Sequence, residues 1–153
     1  RPQTAEIISA IGKVSDYSWI VFCGYGEPTL RLKPLLEVAE FVKQQGGIVM
    51  VNTDGLVNRV PTRNVLPELA GRVDAHSNSL NAQSEVIYNR HCVPALANSW
   101  QAMLDFIRLA PGYIPDVTAT AINGLDGVDI DACRRLANER GVKFKQRELN
   151  QVG

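Results

Sequence analysis

The sequence is short of most features that would narrow a function at once. Cysteine occurs three times, at Cys23, Cys92 and Cys133, an odd and widely spaced set. Such spacing excludes a disulfide framework and a local zinc or iron–sulfur motif, and cytoplasmic thiols are the simplest reading. Cys92 and Cys133 suit the role of small buried hydrophobes. Histidine is scarcer still, with only His76 and His91, and two histidines without neighbouring ligands make a poor metal site. No charge excess exists, since 16 basic residues balance 16 acidic ones. Phosphate binding needs a basic surplus or stripe, so neither nucleic acid nor an anionic membrane is expected as a partner. No apolar run approaches the roughly 20 residues of a membrane span. The chain opens on Arg1-Pro2-Gln3-Thr4, which carries no apolar signal region. A Ser/His/Asp series and a phosphate-loop pattern are also missing.

What is present alternates. Apolar residues make up 45% of the 153, enough to fill the core of one domain. Thr4 can cap a helix bearing Ile7, Ile8, Ile11 and Val14. Trp19–Cys23 is a continuous apolar strand of the kind covered on both faces. Leu35, Val38, Ala39 and Val42 recur at helical spacing behind Pro34, and Gly46-Gly47 ends that helix. Ile48–Asn52 forms a second strand, a short helix spans about Thr62–Ala70, and Val73–Leu80 forms a third strand. Asn98 caps a helix with Trp100, Met103, Leu104 and Ile107 inside. Ile114–Ile122 reads as a fourth strand. Asp129 caps a last helix with Ile130, Cys133, Leu136 and Ala137 inside, and Val142–Glu148 is the final strand.

Alternation of strand and helix with short links implies an α/β fold with a mostly parallel sheet of about five strands and flanking helices. Five strands cannot close an eight-stranded barrel, so the sheet is open or a partial TIM-like barrel. The first strand, with none before it to pair with, should lie at an edge, and its apolar character makes self-association there an expectation.

Ligands of parallel α/β folds bind at the C-terminal ends of the strands. Those ends supply Gly24-Tyr25-Gly26-Glu27-Pro28, Asn52-Thr53-Asp54-Gly55, Ser77 with Ser79 and Asn81, Thr118 with Thr120 and Asn123-Gly124, and Gln146-Arg147-Glu148. Small polar groups and glycines dominate, which suits hydrogen bonding to a polar metabolite with ribose-like or amino-acid-like groups. Gly24 and Gly26 permit positive φ and close approach of the backbone to a ligand; spacing alone also fits an ordinary βα turn. Alternation puts Ser77 and Ser79 on one face of their strand and His76 with Asn78 on the other. If the serines face the site, His76 and Asn78 face the helix layer as a hydrogen-bonded polar pair. Lys143, Lys145 and Arg147 also share a face, which reads as solvated in preference to substrate-facing.

Together these segments resemble the radical S-adenosylmethionine superfamily. Gly24-Tyr25-Gly26-Glu27-Pro28 resembles its Gly-Gly-Glu-Pro motif, Asn52-Thr53-Asp54-Gly55 its Thr-Asn-Gly turn, and Ser77–Ala82 the strand that follows. Tyr88-Asn89-Arg90-His91-Cys92-Val93-Pro94 looks like the subgroup associated with TatD-type nucleases. The resemblance implies S-adenosylmethionine as cofactor. Gly24, Tyr25, Gly26 and Glu27 would then serve its amino group, and Asn52, Ser79, Asn81 and Thr118 its ribose or carboxylate. It implies a [4Fe–4S] cluster in the parent protein, reductive cleavage to a 5′-deoxyadenosyl radical, and a substrate that the residues do not name. The Cys-x3-Cys-x2-Cys loop that holds the cluster in that family is not in this sequence, so the chain reads as a later portion of such a barrel, inactive alone. The alternative is a cluster-free α/β domain that binds a metabolite or a protein.

Overall fold

The computed structural model describes residues 2–24, 26–59 and 62–149. Strands β1 (Ile20–Phe22), β2 (Val49–Thr53), β3 (Ala75–Ser79), β4 (Asp116–Asn123) and β5 (Lys143–Glu148) form one sheet in sequence order. Every adjacent pair is parallel, as strands joined by helical crossovers must be. The helices are α1 (Thr4–Ile11), α2 (Leu32–Gln44), α3 (Leu66–Leu69), α4 (Glu85–Cys92), α5 (Ser99–Leu109) and α6 (Ile130–Glu139). The result is the open, partial-barrel arrangement that the alternation predicts, with β1 at one edge and, among the described residues, paired only with β2.

One face of the sheet is the core. Val49, Val51, Val117, Ala119 and Ala121 are buried there against Leu35, Val38 and Val42 of α2, Met103, Phe106 and Ile107 of α5, and Cys133 and Ala137 of α6. Each fully buried large aliphatic side chain contributes about 1.5–3 kcal/mol. The N-terminal end of the sheet is tied by Asp74, whose carboxylate accepts from Lys43 Nζ at 2.8 and 2.9 Å and from Val49 N at 2.8 Å. This leaves the opposite face, and the C-terminal strand ends, to carry the site.

The structure departs from the sequence reading at several helix ends. Thr4 is the first helical residue rather than the cap; Gln3 holds the cap position, and Thr4 Oγ1 donates to Glu37 Oε2 at 2.6 Å. Asn98 does sit at the N-cap of α5, but in a left-handed conformation (φ 56°) with no side-chain capping bond. Asp129 caps α6 as expected, accepting from Ala132 N at 2.9 Å. The third helix is only one turn. The sequence reading missed α4 altogether, because its apolar pattern is poor: Tyr88 is its one buried residue and Val86 is 71% exposed. Tyr88 holds it in place, packing its ring 5.4 Å from that of Trp100 on α5.

Candidate functional site at the C-terminal strand ends

Register decides which side chains can meet. Asn52 pairs with Ser77, Ser77 with Thr118, and Ser79 with Thr120. Side chains one apart on a strand take opposite faces, so Asn52, Ser77, Ser79, Thr118 and Thr120 share the open face. His76 and Asn78 take the other, as alternation predicts. They are not the hydrogen-bonded pair expected there. Both are almost wholly buried, and neither ring nitrogen of His76 nor either amide atom of Asn78 has a hydrogen-bond partner among the described residues. His76 instead stacks on Phe106, with ring centroids 5.7 Å apart. Burial without a partner pushes its pKa down to about 4, so it is neutral at physiological pH.

The glycine turn after β1 owes its shape to Glu27. Its Oε1 accepts from Thr29 N at 3.1 Å, Thr29 Oγ1 at 2.5 Å and Thr53 Oγ1 at 2.8 Å, while Oε2 accepts from Asp54 N at 2.7 Å. Its backbone carbonyl accepts from Leu30 N at 3.2 Å. One carboxylate therefore braces the turns after β1 and β2 together. The sequence reading has Glu27 serving a ligand amino group; in the structure Glu27 borders the cavity while its carboxylate also accepts four bonds from the protein's own donors, only one of them at Oε2. Gly24 has φ 140° and Gly26 φ 108°, conformations that L side chains rarely adopt, and an added Cβ at either would meet no protein atom within 4 Å. The space beside the turn is open, as a ligand that approaches the backbone requires.

That space is a cavity of about 360 Å³ bordered by Gly24, Gly26, Glu27, Asn52, Asp54 and Ser79. A second, of about 340 Å³, lies along the open face and joins Asn52 and Ser79 to Thr118, Lys145 and Arg147. A third, of about 400 Å³, faces outward between the turns and is bordered by Asp54, Ser79, Asn81, Tyr88 and Cys92. Ser79 borders all three. Five of the eight residues proposed from sequence thus meet in one cavity, namely Gly24, Gly26, Glu27, Asn52 and Ser79. Thr118 connects to them along the open face. Asn81 lies in the outer cavity, where its Nδ2 donates to Cys92 Sγ at 3.5 Å. Tyr25 falls outside the described residues.

One feature escaped the sequence reading. Asp54 lies beside Glu27, and burial and the neighbouring carboxylate together raise its pKa to about 6. Burial also pushes the Tyr88 phenol to about 12 and raises the Cys92 thiol. The three cations of β5, which alternation already puts on one face, lie on the open one, because Lys143, Lys145 and Arg147 pair with Thr118, Thr120 and Ile122.

The donors present do not suit an iron–sulfur cluster. Cys23 is exposed, Cys92 half-buried and Cys133 buried, and among the described residues no three His, Cys, Asp or Glu side chains group to hold a metal. A cluster needs several convergent thiolates. No helix among the described residues is long and apolar enough to cross a membrane.

No family model and no curated protein matches the sequence. Solved structures do match. A radical SAM methyltransferase from Sphaerobacter thermophilus superposes with a TM-score of 0.52 at 17% identity, over 97% of this chain and 57% of that one. The fold is shared with a radical S-adenosylmethionine enzyme. TYW1 with a lysine–pyruvate adduct bound gives a TM-score of 0.69 at 17% identity, over 95% of this chain and 50% of that one. A domain of pyruvate-formate lyase-activating enzyme from Bacteroides vulgatus gives 0.50 at 16% identity, over 83% of this chain and 97% of that one. At these identities the likeness is one of fold, and this chain spans only 50% and 57% of the two larger proteins.

Proposed function

We propose that this chain is the S-adenosylmethionine-binding portion of a radical S-adenosylmethionine enzyme. The observation that carries the reading is the cavity where Gly24, Gly26, Asn52 and Ser79 meet at the C-terminal end of a parallel sheet, in a fold shared with such an enzyme. The positive-φ glycines present bare backbone to a ligand, and backbone carbonyls accept from an ammonium group. Asn52, Ser79 and Thr118 supply amide and hydroxyl groups of the kind that hydrogen-bond a ribose or carboxylate. Glu27 is a positioning residue that fixes the turn, and Asn81 holds the outer wall. The chain's own role is to bind and orient the cofactor, which carries the difficult chemistry. The cysteines do not fit a cluster, so no reductive step is assigned to these residues; a cluster would be held by polypeptide outside this sequence. The segment Tyr88–Pro94, on and after α4, supports the narrower placement beside the TatD-associated subgroup.

Calorimetric titration with S-adenosylmethionine tests the reading. The chain should bind it with one-to-one stoichiometry. Gly26→Val should weaken binding at least tenfold with unchanged circular dichroism, and Ser79→Val should weaken it by a smaller factor. Absence of binding to the native chain, or equal binding by both variants, would leave a cluster-free binding module as the better account.

A further inference from the structure

The open face of the sheet carries charge that its surroundings do not balance. Lys143, Lys145 and Arg147 project from it in a row along β5. The first is neutralised, since its Nζ lies 3.0 Å from Asp116 Oδ1, an ion pair by distance though not aligned as a hydrogen bond. Neither of the others belongs to an ion pair among the described residues. Of the carboxylates at this end of the sheet, Asp54 borders the adjoining cavity and not this one, and two others are engaged elsewhere. Glu148 points to the reverse side of β5, where it accepts from Gln146 Nε2 and Asn123 Nδ2. Glu27 accepts four bonds from the two turns it braces. Because the whole chain has 16 basic and 16 acidic residues, this surplus comes from placement, not from a basic composition.

The surplus stands on the wall of the 340 Å³ cavity, beside half-buried Ser77 and Thr118. The same wall includes Asp116, which is paired with Lys143, so the charge left without an ion-pair partner there is positive and attracts an anion. Arg offers a planar fork that matches carboxylate and phosphate oxygens, Lys a compact point charge, and hydroxyls complete the coordination of such oxygens. We propose that Lys145 and Arg147, with Thr118, form an anion subsite that holds the carboxylate or phosphate of the substrate. This supplies a substrate class for the proposed enzyme and so rests on the reading of the adjoining cavity as its cofactor site. The sequence reading favours a solvated face for these residues, and Lys145 and Arg147 are indeed exposed; they also border the cavity.

The probes are inorganic phosphate and acetate, titrated separately at low ionic strength into the chain and followed by nitrogen–proton correlation spectra. Either or both should give saturable shifts at Arg147 Nε and at the Thr118 and Thr120 amides. The double substitution Lys145→Gln, Arg147→Gln should weaken that binding at least tenfold, while Lys33→Gln on α2 should leave it within twofold. Preference for phosphate assigns a phosphorylated substrate, and preference for acetate a carboxylic acid. Anion affinity unchanged in the double variant would overturn the proposal. So would an equal loss of anion and S-adenosylmethionine binding, which would make the wall the cofactor's own carboxylate site. Loss of anion binding with S-adenosylmethionine affinity kept supports it. Anion binding by a chain that binds no S-adenosylmethionine would sink the cofactor reading and leave the subsite standing.

Discussion

The backbone N–H of Asp54 donates to Glu27 Oε2 at 2.7 Å, across 27 residues of sequence. That bond and the Thr53 hydroxyl bond to Oε1 at 2.8 Å lock the turn after β1 to the turn after β2. Removing the acceptor strands four donors in a half-buried place, and hydrogen bonds to a charged group contribute about 1.5–3 kcal/mol each when lost singly. Glu27→Ala should therefore destabilise the chain by about 2–4 kcal/mol, since water can reach some of the freed groups. Urea unfolding measures this, and the Asp54 amide should lose hydrogen-exchange protection more than the β3 amides do. Native-like protection in the variant would show that the brace is incidental.

Asp54 itself is held uncomfortably. Its pKa is raised from 3.8 to about 6 by burial and by Glu27. A raised carboxylate pKa means that the folded chain binds the proton more tightly than the unfolded one. The stabilisation is present in acid and lost as pH rises from about 3.8 through 6. Solvent reaches this side chain in part, so the full linkage energy is discounted to about 1–2 kcal/mol. Asp54→Asn removes the charge yet keeps an acceptor for Leu56 N, which now reaches Asp54 Oδ1 at 2.9 Å. The variant should be more stable than the parent by that amount at pH 7.5 and no more stable at pH 4. A pH-independent difference would refute the account.

His76 has the opposite sign. Its pKa falls from 6.5 to about 4, so the unfolded chain takes up a proton that the folded chain refuses, and stability drops as pH falls from about 6.5 towards 4. At about 1.4 kcal/mol per unit the loss reaches about 3 kcal/mol, partly offset by the gain at Asp54 over the same range. His76→Phe keeps a ring against Phe106 and removes two unpartnered nitrogens, a replacement that is nearly neutral or stabilising. The variant should match or exceed the parent at pH 7.5 and unfold at clearly higher denaturant at pH 5. Equal midpoints of parent and variant at pH 5 would count against a neutral, unpartnered imidazole.

Much of this arrangement was legible in residue patterns, for identifiable reasons. Val49, Val51, Val38 and Val42 announce strand and helix because their spacing is set by a covered sheet. Gly24 and Gly26 announce an unusual turn because few other residues tolerate their φ values. Ser77 and His76 were assigned to opposite faces by strand alternation alone, and the structure agrees. The rest depends on contacts between distant segments. Nothing near Glu27 in sequence says that Thr53 and Asp54 will satisfy it. That the exposed Lys145 also borders the cavity depends on the register of β5 against β4. Helix α4 lacks a clear apolar stripe because only Tyr88 is buried, with Ile87 and Cys92 partly buried against the core.

The exposed edge of the sheet offers a last test. Among the described residues β1 pairs only with β2, and its flank carries Trp19 at 44% and Val21 at 42% exposure, with Ile48 nearby in sequence to its partner strand at 41%. An apolar strand with an unpaired edge is a template for further pairing. We expect concentration-dependent self-association of this chain through β1. A charge on an edge strand opposes such pairing, because joining two copies would bring the charges together and strip them of water. Val21 lies in register with Met50 on the open face, away from the packed core, so Val21→Lys should leave the fold intact. Sedimentation velocity should show the parent shifting from monomer towards dimer with concentration and the variant associating at least tenfold more weakly. If the parent stays monomeric at high concentration, or the lysine variant associates equally, then the β1 edge is not sticky and any contact lies elsewhere.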